Sequence, residues 1–192
     1  MSIDRVSQYE IRMRTKKFFD LLLFLQNRKI QKFLNDLAEK YNAPACKVLE
    51  IGAGTEALAH KKLFGRAFFT ATDIRKYEGV DYILDLTSPR GLKSDFFDLI
   101  ICMNVLEQIA HPDKVLNEVH RALKMGGELF LVTPFLFPIH DPPHDFYRYT
   151  EYALVEMLNK FSGVSIEKIH LMMMKLGFFD RLVLNYVARA VK

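Results

Sequence analysis

A glycine turn and a carboxylate occur at the spacing that proteins use to bind a nucleoside. Gly52 and Gly54 follow the apolar stretch 47–51, and glycine there permits a positive φ and leaves room for a ligand against the backbone. Asp73 lies 19 residues after Gly54, at the end of the next apolar stretch. A carboxylate at that position can accept hydrogen bonds from both hydroxyls of a ribose. Together, the turn and the acid predict a nucleoside-binding site.

Acidic residues beside the turn indicate which nucleoside cofactor would bind. Glu50 precedes the turn, and Glu56 begins the helix that we predict after it. Both would repel a pyrophosphate, whereas a carboxylate can pair with a cationic amino group. Ala57 fits the third position of a dinucleotide fingerprint, so a nicotinamide-dependent oxidoreductase stays an alternative. The acids favour S-adenosylmethionine as the cofactor.

A second group of reactive side chains lies between positions 140 and 149. It contains two His, two Asp, two Tyr and one Arg, and it overlaps a stretch with four prolines in ten residues, 134–143. We therefore predict a structured loop at the carboxyl edge of the sheet, where open α/β sheets bind ligands. The predicted catalytic residues are His144 and Asp145, and the predicted acceptor contacts are His140, Tyr147, Arg148 and Tyr149.

The chemistry expected of this loop is acid–base work beside a bound acceptor. His144 or His140 could take a proton from a hydroxyl group, and Asp145 could orient the imidazole. Arg148 could bind a carboxylate or phosphate on the acceptor.

A structural interpretation of the same loop is equally compatible with the sequence. Asp145 and Arg148 could pair to hold the loop, while the aromatic residues anchor it and His140 caps a turn. A metal site at His140, Asp141 and His144 has suitable residue types, but the intervening prolines and the missing fourth ligand argue against it. We predict no metal.

Short apolar stretches alternate with helical stretches after Pro44, a pattern typical of a parallel sheet with crossover helices. We predict strands at 47–51, 67–72, 82–84, 97–103, 128–133 and 164–171. Helices are predicted within 4–41, as one or two elements, then over 112–124, ending at Gly126-Gly127, and from Thr150 to about 161. The expected fold is α/β, a Rossmann-like, doubly wound, mostly parallel sheet of six or seven strands with N-terminal helices.

The apolar tail from 177 to 192 has two interpretations. It looks helical, but a seventh strand could lie within 182–187. Packing on the core is the default for this tail, and its arginines and final lysine leave contact with a membrane surface or a second subunit as alternatives. The oligomeric state is not indicated.

Length and composition favour one domain. The chain has 192 residues, half of them apolar, which is enough for one core. We divide the single domain 1–192 into an N-terminal helical segment (1–43), a cofactor-binding core (44–135) and an acceptor side (136–192). The net charge of +4 is too small to indicate a nucleic-acid partner. Two cysteines without a metal motif, with no signal peptide or membrane span evident, lead us to expect a reducing, cytoplasmic setting.

Several motifs, taken in order, resemble the class I S-adenosylmethionine-dependent methyltransferases, and specifically their type 11 group. The resemblance covers about residues 46–150 and rests on Glu50-Ile51-Gly52-Ala53-Gly54-Thr55, Asp73, Asp85-Leu86, Phe97-Asp98-Leu99-Ile100, Asn104-Val105-Leu106-Glu107 and Leu123-Lys124-Met125-Gly126-Gly127. Three positions depart from the family pattern, namely Glu56, Gln108 and Met125. Of these, only Glu56 lies where it could weaken cofactor binding.

The resemblance implies a role for each cofactor-site residue. Gly52, Ala53 and Gly54 would back the methionine part, and Glu50 would stabilise the turn or bind the amino group through water. Asp73 would bind the ribose hydroxyls. The other residues that it implies are Ile74, Asp85 and Leu86 around the adenine, and Asn104 at the end of the fourth strand.

The sequence thus predicts an S-adenosylmethionine-dependent methyltransferase that acts on oxygen or nitrogen of a small-molecule or glycan-type acceptor. The stretch from Pro143 to Thr150 resembles a phrase in type 11 members linked to glycan assembly. A nucleic-acid base is disfavoured as acceptor because no Asn-Pro-Pro-Tyr-like sequence follows the fourth strand. A non-catalytic, methyltransferase-like binding protein is the alternative from another class.

Overall fold

A single twisted sheet organises the protein, whose computed structural model describes residues 5–86, 91–171 and 182–192. Within those residues, seven strands are present: β1 (Lys47–Ile51), β2 (Phe68–Asp73), β3 (Tyr82–Ile83), β4 (Phe97–Met103), β5 (Leu123–Pro134), β6 (Ser162–Leu171) and β7 (Leu182–Val191). Their order across the sheet is β3-β2-β1-β4-β5-β7-β6. Strands β1 to β5 pair in parallel, and β7 is antiparallel to both of its neighbours. The predicted mostly parallel, Rossmann-like sheet is confirmed.

Four α-helices accompany the sheet in the described part of the chain: α1 (Arg5–Tyr41), α2 (Ala57–Leu63), α3 (Pro112–Ala122) and α4 (Glu151–Met157). The predicted N-terminal helical segment forms one helix, and its range contains neither Gly nor Pro. Pro112 opens α3 at its first turn, where a missing N–H is tolerated, and Thr150 caps α4 by accepting a hydrogen bond from the Ala153 amide. None of the described helices has the length and apolarity to cross a membrane.

The sheet is buried on both faces because its strands contribute alternate residues to two cores. Val48 and Leu99 pack on one face with Leu34 and Leu37 of α1. On the other face, apolar residues of the strands pack with those of α3 and α4, among them Leu49, Ile100, Val115, Val119 and Leu154. A strand that is buried on both faces needs apolar residues at successive positions, and β4 is such a strand.

The end of α1 is also fixed to the sheet by a polar contact. Tyr41 donates its phenol hydrogen to Glu128 Oε2 at 2.9 Å, and Lys40 Nζ donates to the same oxygen at 2.9 Å. Glu128 is buried at the edge of the core, so these partners offset the cost of burying its charge. The contact orients the carboxyl end of α1 against β5.

Two sequence-based expectations about the chain after α3 are wrong. Helix α3 ends at Ala122, and Gly126 and Gly127 lie inside β5 rather than just past a helix. They pair there with the end of the chain: the Gly126 amide donates to the Lys192 carbonyl at 3.0 Å, and the Lys192 amide donates to the Gly127 carbonyl at 3.0 Å. We expected a helix to end there because glycine in the left-handed conformation is common just past a helix end. Gly126 does have a φ of +77°, but it lies within a strand.

The tail is a strand over 182–191, not a helix, and the alternative prediction of a seventh strand within 182–187 is confirmed as β7. It pairs with β5 from Glu128–Val191 to Pro134–Asn185, and with β6 on its other side. Both neighbours satisfy its backbone, which explains why this stretch adopts the extended conformation. Residues 177–181 of the predicted tail lie outside the described residues.

Candidate functional site

The carboxyl ends of β1, β2 and β4 enclose a cleft of about 760 Å³. Parallel strands end at the same edge of a sheet, so the turns that follow them meet there. The lining consists of Ile51, Gly52, Asp73, Ile74, Arg75, Tyr77, Leu84, Asp85, Leu86, Asn104, Val105, Gln108, Ile109, Ala110, Asp141, His144 and Phe146. Seven of the predicted site residues are in that set: Gly52, Asp73, Ile74, Asp85, Leu86, Asn104 and His144.

The glycine turn after β1 has the close contacts that make Gly52 necessary. Its φ is +69°, and a Cβ built on it would lie 2.2 Å from Cγ2 of Val105. Gly54 also has a positive φ, but a Cβ there would meet nothing within 4 Å. The turn therefore packs against the segment after β4 at Gly52 and leaves open space at Gly54.

Asp73 joins this turn to the end of β2. Its Oδ2 accepts a hydrogen bond from the Gly54 amide at 3.0 Å, and its Oδ1 accepts one from the Arg75 amide at 2.9 Å. Each carboxylate oxygen has a second lone pair, so the group can still accept donors from a ligand in the cleft. The geometry fits the predicted ribose-binding role of Asp73.

Glu50 lies beneath the turn and is almost completely buried. Its Oε1 is 2.7 Å from Nδ1 of His60, and its backbone carbonyl accepts a hydrogen bond from the Thr72 hydroxyl. Burial lowers the pKa of His60, but the hydrogen bond and the charge of Glu50 outweigh it, so the pKa is raised. Of the two roles considered for Glu50, support of the turn is the one that these contacts favour.

Glu56, the residue that could weaken cofactor binding, is at the start of α2 and exposed to solvent. It is not among the described residues that line the cleft. Its charge meets the amino end of a helix, which is a favourable position for an acid.

The predicted acceptor loop is held by a partly buried ion pair. The Arg148 guanidinium donates to both oxygens of Asp145, at 2.5 and 2.8 Å, and also to the carbonyls of Phe137 and Pro138. The Asp145 side chain is 2% exposed. The hydrogen bonds from Arg148 outweigh burial and hold the pKa of Asp145 well below its usual range. The pair fixes the shape of the loop, as the structural interpretation of these residues required.

The two tyrosines of the loop attach it to the segment that follows β4. Tyr147 donates its hydroxyl to the Ala110 carbonyl at 3.0 Å, and Tyr149 donates to the Leu106 carbonyl at 3.1 Å. The backbone carbonyl of Glu107 accepts the amides of residues 146 and 147. Both tyrosine hydroxyls are thus used in anchoring, and neither residue is in the described cleft lining.

The two histidines of the loop occupy different environments. His144 is exposed and lines the cleft, and its ring lies 6.2 Å from that of Phe146. His140 lies behind the wall, with Nδ1 3.3 Å from Asp145 Oδ2 and Nε2 3.7 Å from Glu107 Oε1. Asp145 therefore contacts His140 rather than the histidine of the cleft.

Sequence reasoning missed several cleft residues, among them Arg75, Tyr77, Gln108, Asp141 and Phe146. Arg75 and Asp141 approach each other to 3.4 Å across the mouth of the cleft, although 66 positions separate them. No local pattern signals such a contact. Phe146 lies within the predicted acceptor loop. Its ring is exposed, and that exposure, which marks it as a cleft residue, is visible only in the structure.

Comparison with known proteins gives a consistent result. A family model described as a methyltransferase domain matches residues 22–179. The highly reducing polyketide synthase pspA of Penicillium soppii is 32% identical over 149 residues, covering 65% of this chain and 6% of that protein. The ubiquinone biosynthesis O-methyltransferase of Pseudomonas entomophila is 26% identical over 114 residues, covering 52% of this chain and 49% of the other. The chain thus matches only a part of each relative.

Solved structures share the fold at low sequence identity. A SAM-dependent methyltransferase from Archaeoglobus fulgidus superposes with a TM-score of 0.63 at 18% identity, over 88% of this chain and 99% of that one. Phosphoethanolamine N-methyltransferase 2 of Haemonchus contortus, in complex with S-adenosyl-L-methionine, gives a TM-score of 0.60 at 15% identity, over 78% of this chain and 49% of that one. At such identities the likeness concerns the fold.

Proposed function

Because the chain belongs to the methyltransferase domain family, we propose that it transfers the methyl group of S-adenosylmethionine to an oxygen or nitrogen of a small-molecule or glycan-type acceptor. The observation that carries the proposal is the cleft itself, whose lining includes Gly52 of the glycine turn, Asp73 and His144. A nucleoside site and a proton-accepting group in one cleft are what such a transfer needs.

The charge of the cleft fits this cofactor. Its described lining has three aspartates, Asp73, Asp85 and Asp141, against a single cationic side chain, Arg75. S-adenosylmethionine carries a sulfonium and an ammonium against one carboxylate, so an acidic cleft attracts it. A nicotinamide dinucleotide carries an anionic pyrophosphate, which the same groups repel. The oxidoreductase alternative is therefore disfavoured.

We assign the cofactor contacts as follows. The turn at Gly52, Ala53 and Gly54 would hold the methionine part, supported from below by Glu50. Asp73 would accept hydrogen bonds from the ribose, and Asn104 would lie beside it. Ile74, Asp85 and Leu86 would enclose the adenine. The bound cofactor supplies a methyl group on a positively charged sulfur, ready for in-line displacement.

The chain's own residues would align the acceptor and remove its proton. His144 is the one imidazole in the described lining of the cleft. We therefore assign to it the role of accepting the proton that the acceptor hydroxyl or amine loses. Asp145 contributes indirectly, since its pairing with Arg148 sets the loop that carries His144. Arg148 donates its hydrogens to groups of the loop itself. An anionic acceptor would have to compete with those groups for the guanidinium, so this arrangement supports an uncharged acceptor.

Calorimetric titration with S-adenosylmethionine, and separately with NAD, tests the cofactor assignment. We expect saturable binding of S-adenosylmethionine by the wild-type protein and a loss of affinity of about 10-fold or more in Asp73→Ala. Asp36→Ala is the matched control, because Asp36 is exposed on α1 and far from the cleft in sequence. Binding of NAD without binding of S-adenosylmethionine would overturn the proposal.

A further inference from the structure

Gln108 lies in the wall between the cleft and the acceptor loop. It ends a short 3-10 turn, Leu106–Gln108, that follows β4, and it lines the cleft together with Ile109 and Phe146. An amide side chain presents a donor at one end and an acceptor at the other. Which end faces the cleft depends on what holds the opposite end.

His140 fixes the orientation of this amide. Gln108 Nε2 lies 3.3 Å from His140 Nε2. An amide nitrogen only donates, so this ring nitrogen must accept, and the hydrogen of the neutral imidazole is then on Nδ1. Nδ1 lies 3.3 Å from the Pro138 carbonyl and 3.3 Å from Asp145 Oδ2, both of which accept. With one N–H bound to the ring, Gln108 retains its second N–H and its carbonyl oxygen, and the oxygen is the acceptor that it can offer a ligand.

The imidazole that does this is itself held on several sides. The His140 amide donates to Asp145 Oδ2 at 2.9 Å, and its ring stands edge-on to Phe137 with centroids 5.1 Å apart. The support behind Gln108 is therefore built from the same ion-paired loop that carries His144.

We infer that Gln108 is a specificity-determining residue whose Oε1 accepts a hydrogen bond from an O–H or N–H group of the acceptor, with His140 as its positioning residue. The inference rests on the proposed function and narrows its acceptor class. Phe146, whose side chain is partly exposed, and Ile109 give the same part of the cleft an apolar wall. The combination fits an uncharged, partly apolar acceptor that carries an O–H or N–H donor.

Two probes with the same ring and the same two oxygens test this inference, one with O–H donors and the other with a methyl group on each oxygen. The full chain, ¹⁵N-labelled, is titrated with catechol and with 1,2-dimethoxybenzene, with and without S-adenosylhomocysteine, while the side-chain amide signals are followed by NMR. Gln108→Met identifies the Gln108 signal and removes its acceptor oxygen. We expect catechol to move that signal, and its dissociation constant to rise about 10-fold or more in Gln108→Met. The affinity for 1,2-dimethoxybenzene should change less than about 2-fold.

His140→Phe completes the test, because it keeps an aromatic ring beside Phe137 and removes the acceptor nitrogen. We expect His140→Phe to weaken catechol binding, as Gln108→Met does. The double variant should lose no more affinity for catechol than Gln108→Met alone, because both changes remove the same hydrogen bond. Additive losses, equal losses for both probes, or no catechol binding by the wild type would overturn the inference. Calorimetry with S-adenosylhomocysteine alone reports separately on the proposed cofactor, so a failure of the proposed function is distinguishable.

Discussion

Glu107 presents the sharpest conflict between a side chain and its surroundings. The residue is 0% exposed, and neither carboxylate oxygen accepts a hydrogen bond from another residue in the described part of the protein. Burial raises the pKa of Glu107 to about 7, against the opposing effects of its own backbone amide and of Arg148. An ionised carboxyl in this position is costly, so near neutral pH the buried group is partly protonated.

We expect Glu107 to make the protein less stable as the pH rises from 4.5 towards 7. In that range the unfolded chain releases the proton of Glu107 while the folded chain keeps it, so ionisation favours unfolding. The difference between 4.5 and about 7 corresponds to a loss of about 3 kcal/mol, complete above the folded pKa. Urea denaturation between pH 4.5 and 8 should show this loss in the wild type and not in Glu107→Gln.

Glu39→Gln is the matched control for that measurement, since Glu39 is an exposed acid on α1. It should follow the wild type at every pH. A constant difference between the wild type and Glu107→Gln across the range would contradict the raised pKa.

Residue types near the cleft could be predicted, but their individual roles could not. Asp73 and the glycines were found because their roles depend on short-range spacing around a strand end. Tyr147 and Tyr149 were predicted to contact the acceptor, and both donate to backbone carbonyls of the segment after β4. A carbonyl is present at every position, so sequence cannot reveal which one a tyrosine will meet.

At the scale of the element, the glycine turn after β1 shows how two similar residues carry different constraints. Both Gly52 and Gly54 have a positive φ, but only Gly52 packs against another side chain, Val105. A side chain at Gly52 is disfavoured both by the lack of space and by the backbone conformation. A side chain at Gly54 is disfavoured by the backbone conformation alone.

Alanine substitutions should separate these two constraints. Gly54→Ala is expected to cost about 1 kcal/mol, because a Cβ disfavours the left-handed conformation. Gly52→Ala should cost about 2 to 4 kcal/mol, because its Cβ must also displace Val105. Urea denaturation of the two variants checks the ranking, and equal losses would contradict it.

The long helix α1 is stabilised unevenly along its length. Leu34 and Leu37 are buried against the sheet, whereas Phe24 is 57% exposed. The core contacts of α1 therefore come from its carboxyl half, as far as the described side chains show.

Leu37→Ala and Phe24→Ala form a matched pair on that helix. We expect the first to lower the free energy of unfolding by about 2 to 5 kcal/mol, since it opens a cavity in the core. The second should change it by less than about 0.5 kcal/mol. Chemical denaturation measures both, and a large effect of Phe24→Ala would mean that the exposed part of α1 has a further contact.

Elements differ in how well sequence predicts them. β1 and β4 have the predicted bounds because each is a continuous apolar stretch next to a turn residue. β7 was predicted only as an alternative to a helix because residues 184–188 are buried on both sides of the sheet, so the chain shows no alternation of apolar and polar residues. A doubly buried strand and a buried helix look alike in sequence.

At the scale of the whole molecule, the wall of the cleft contains a contact between distant parts of the chain. Arg75 follows β2, and Asp141 belongs to the acceptor loop after β5; their side chains meet at 3.4 Å. Both side chains are well exposed, so salt screens their attraction. Such a contact adds little to stability but can retain a ligand beneath it.

We expect Asp141→Asn to speed both the entry and the release of S-adenosylmethionine without changing the thermal midpoint of unfolding. Stopped-flow binding at low ionic strength measures both rate constants, and added salt should bring the wild type towards the variant. Glu78→Gln removes an equal charge from an exposed position nearby in sequence to Arg75 and should leave the rates unchanged. Identical release rates for the wild type and Asp141→Asn would sink the idea.

The position of β7 inside the sheet has a consequence for synthesis. β7 lies between β5 and β6, although both of these precede it in the chain. While the ribosome is still making residues 182–191, β5 lacks one neighbour and β6 has no strand to pair with. Nascent chains with open strand edges are prone to aggregation, so we expect the growing sheet to be most exposed to aggregation until β7 is complete.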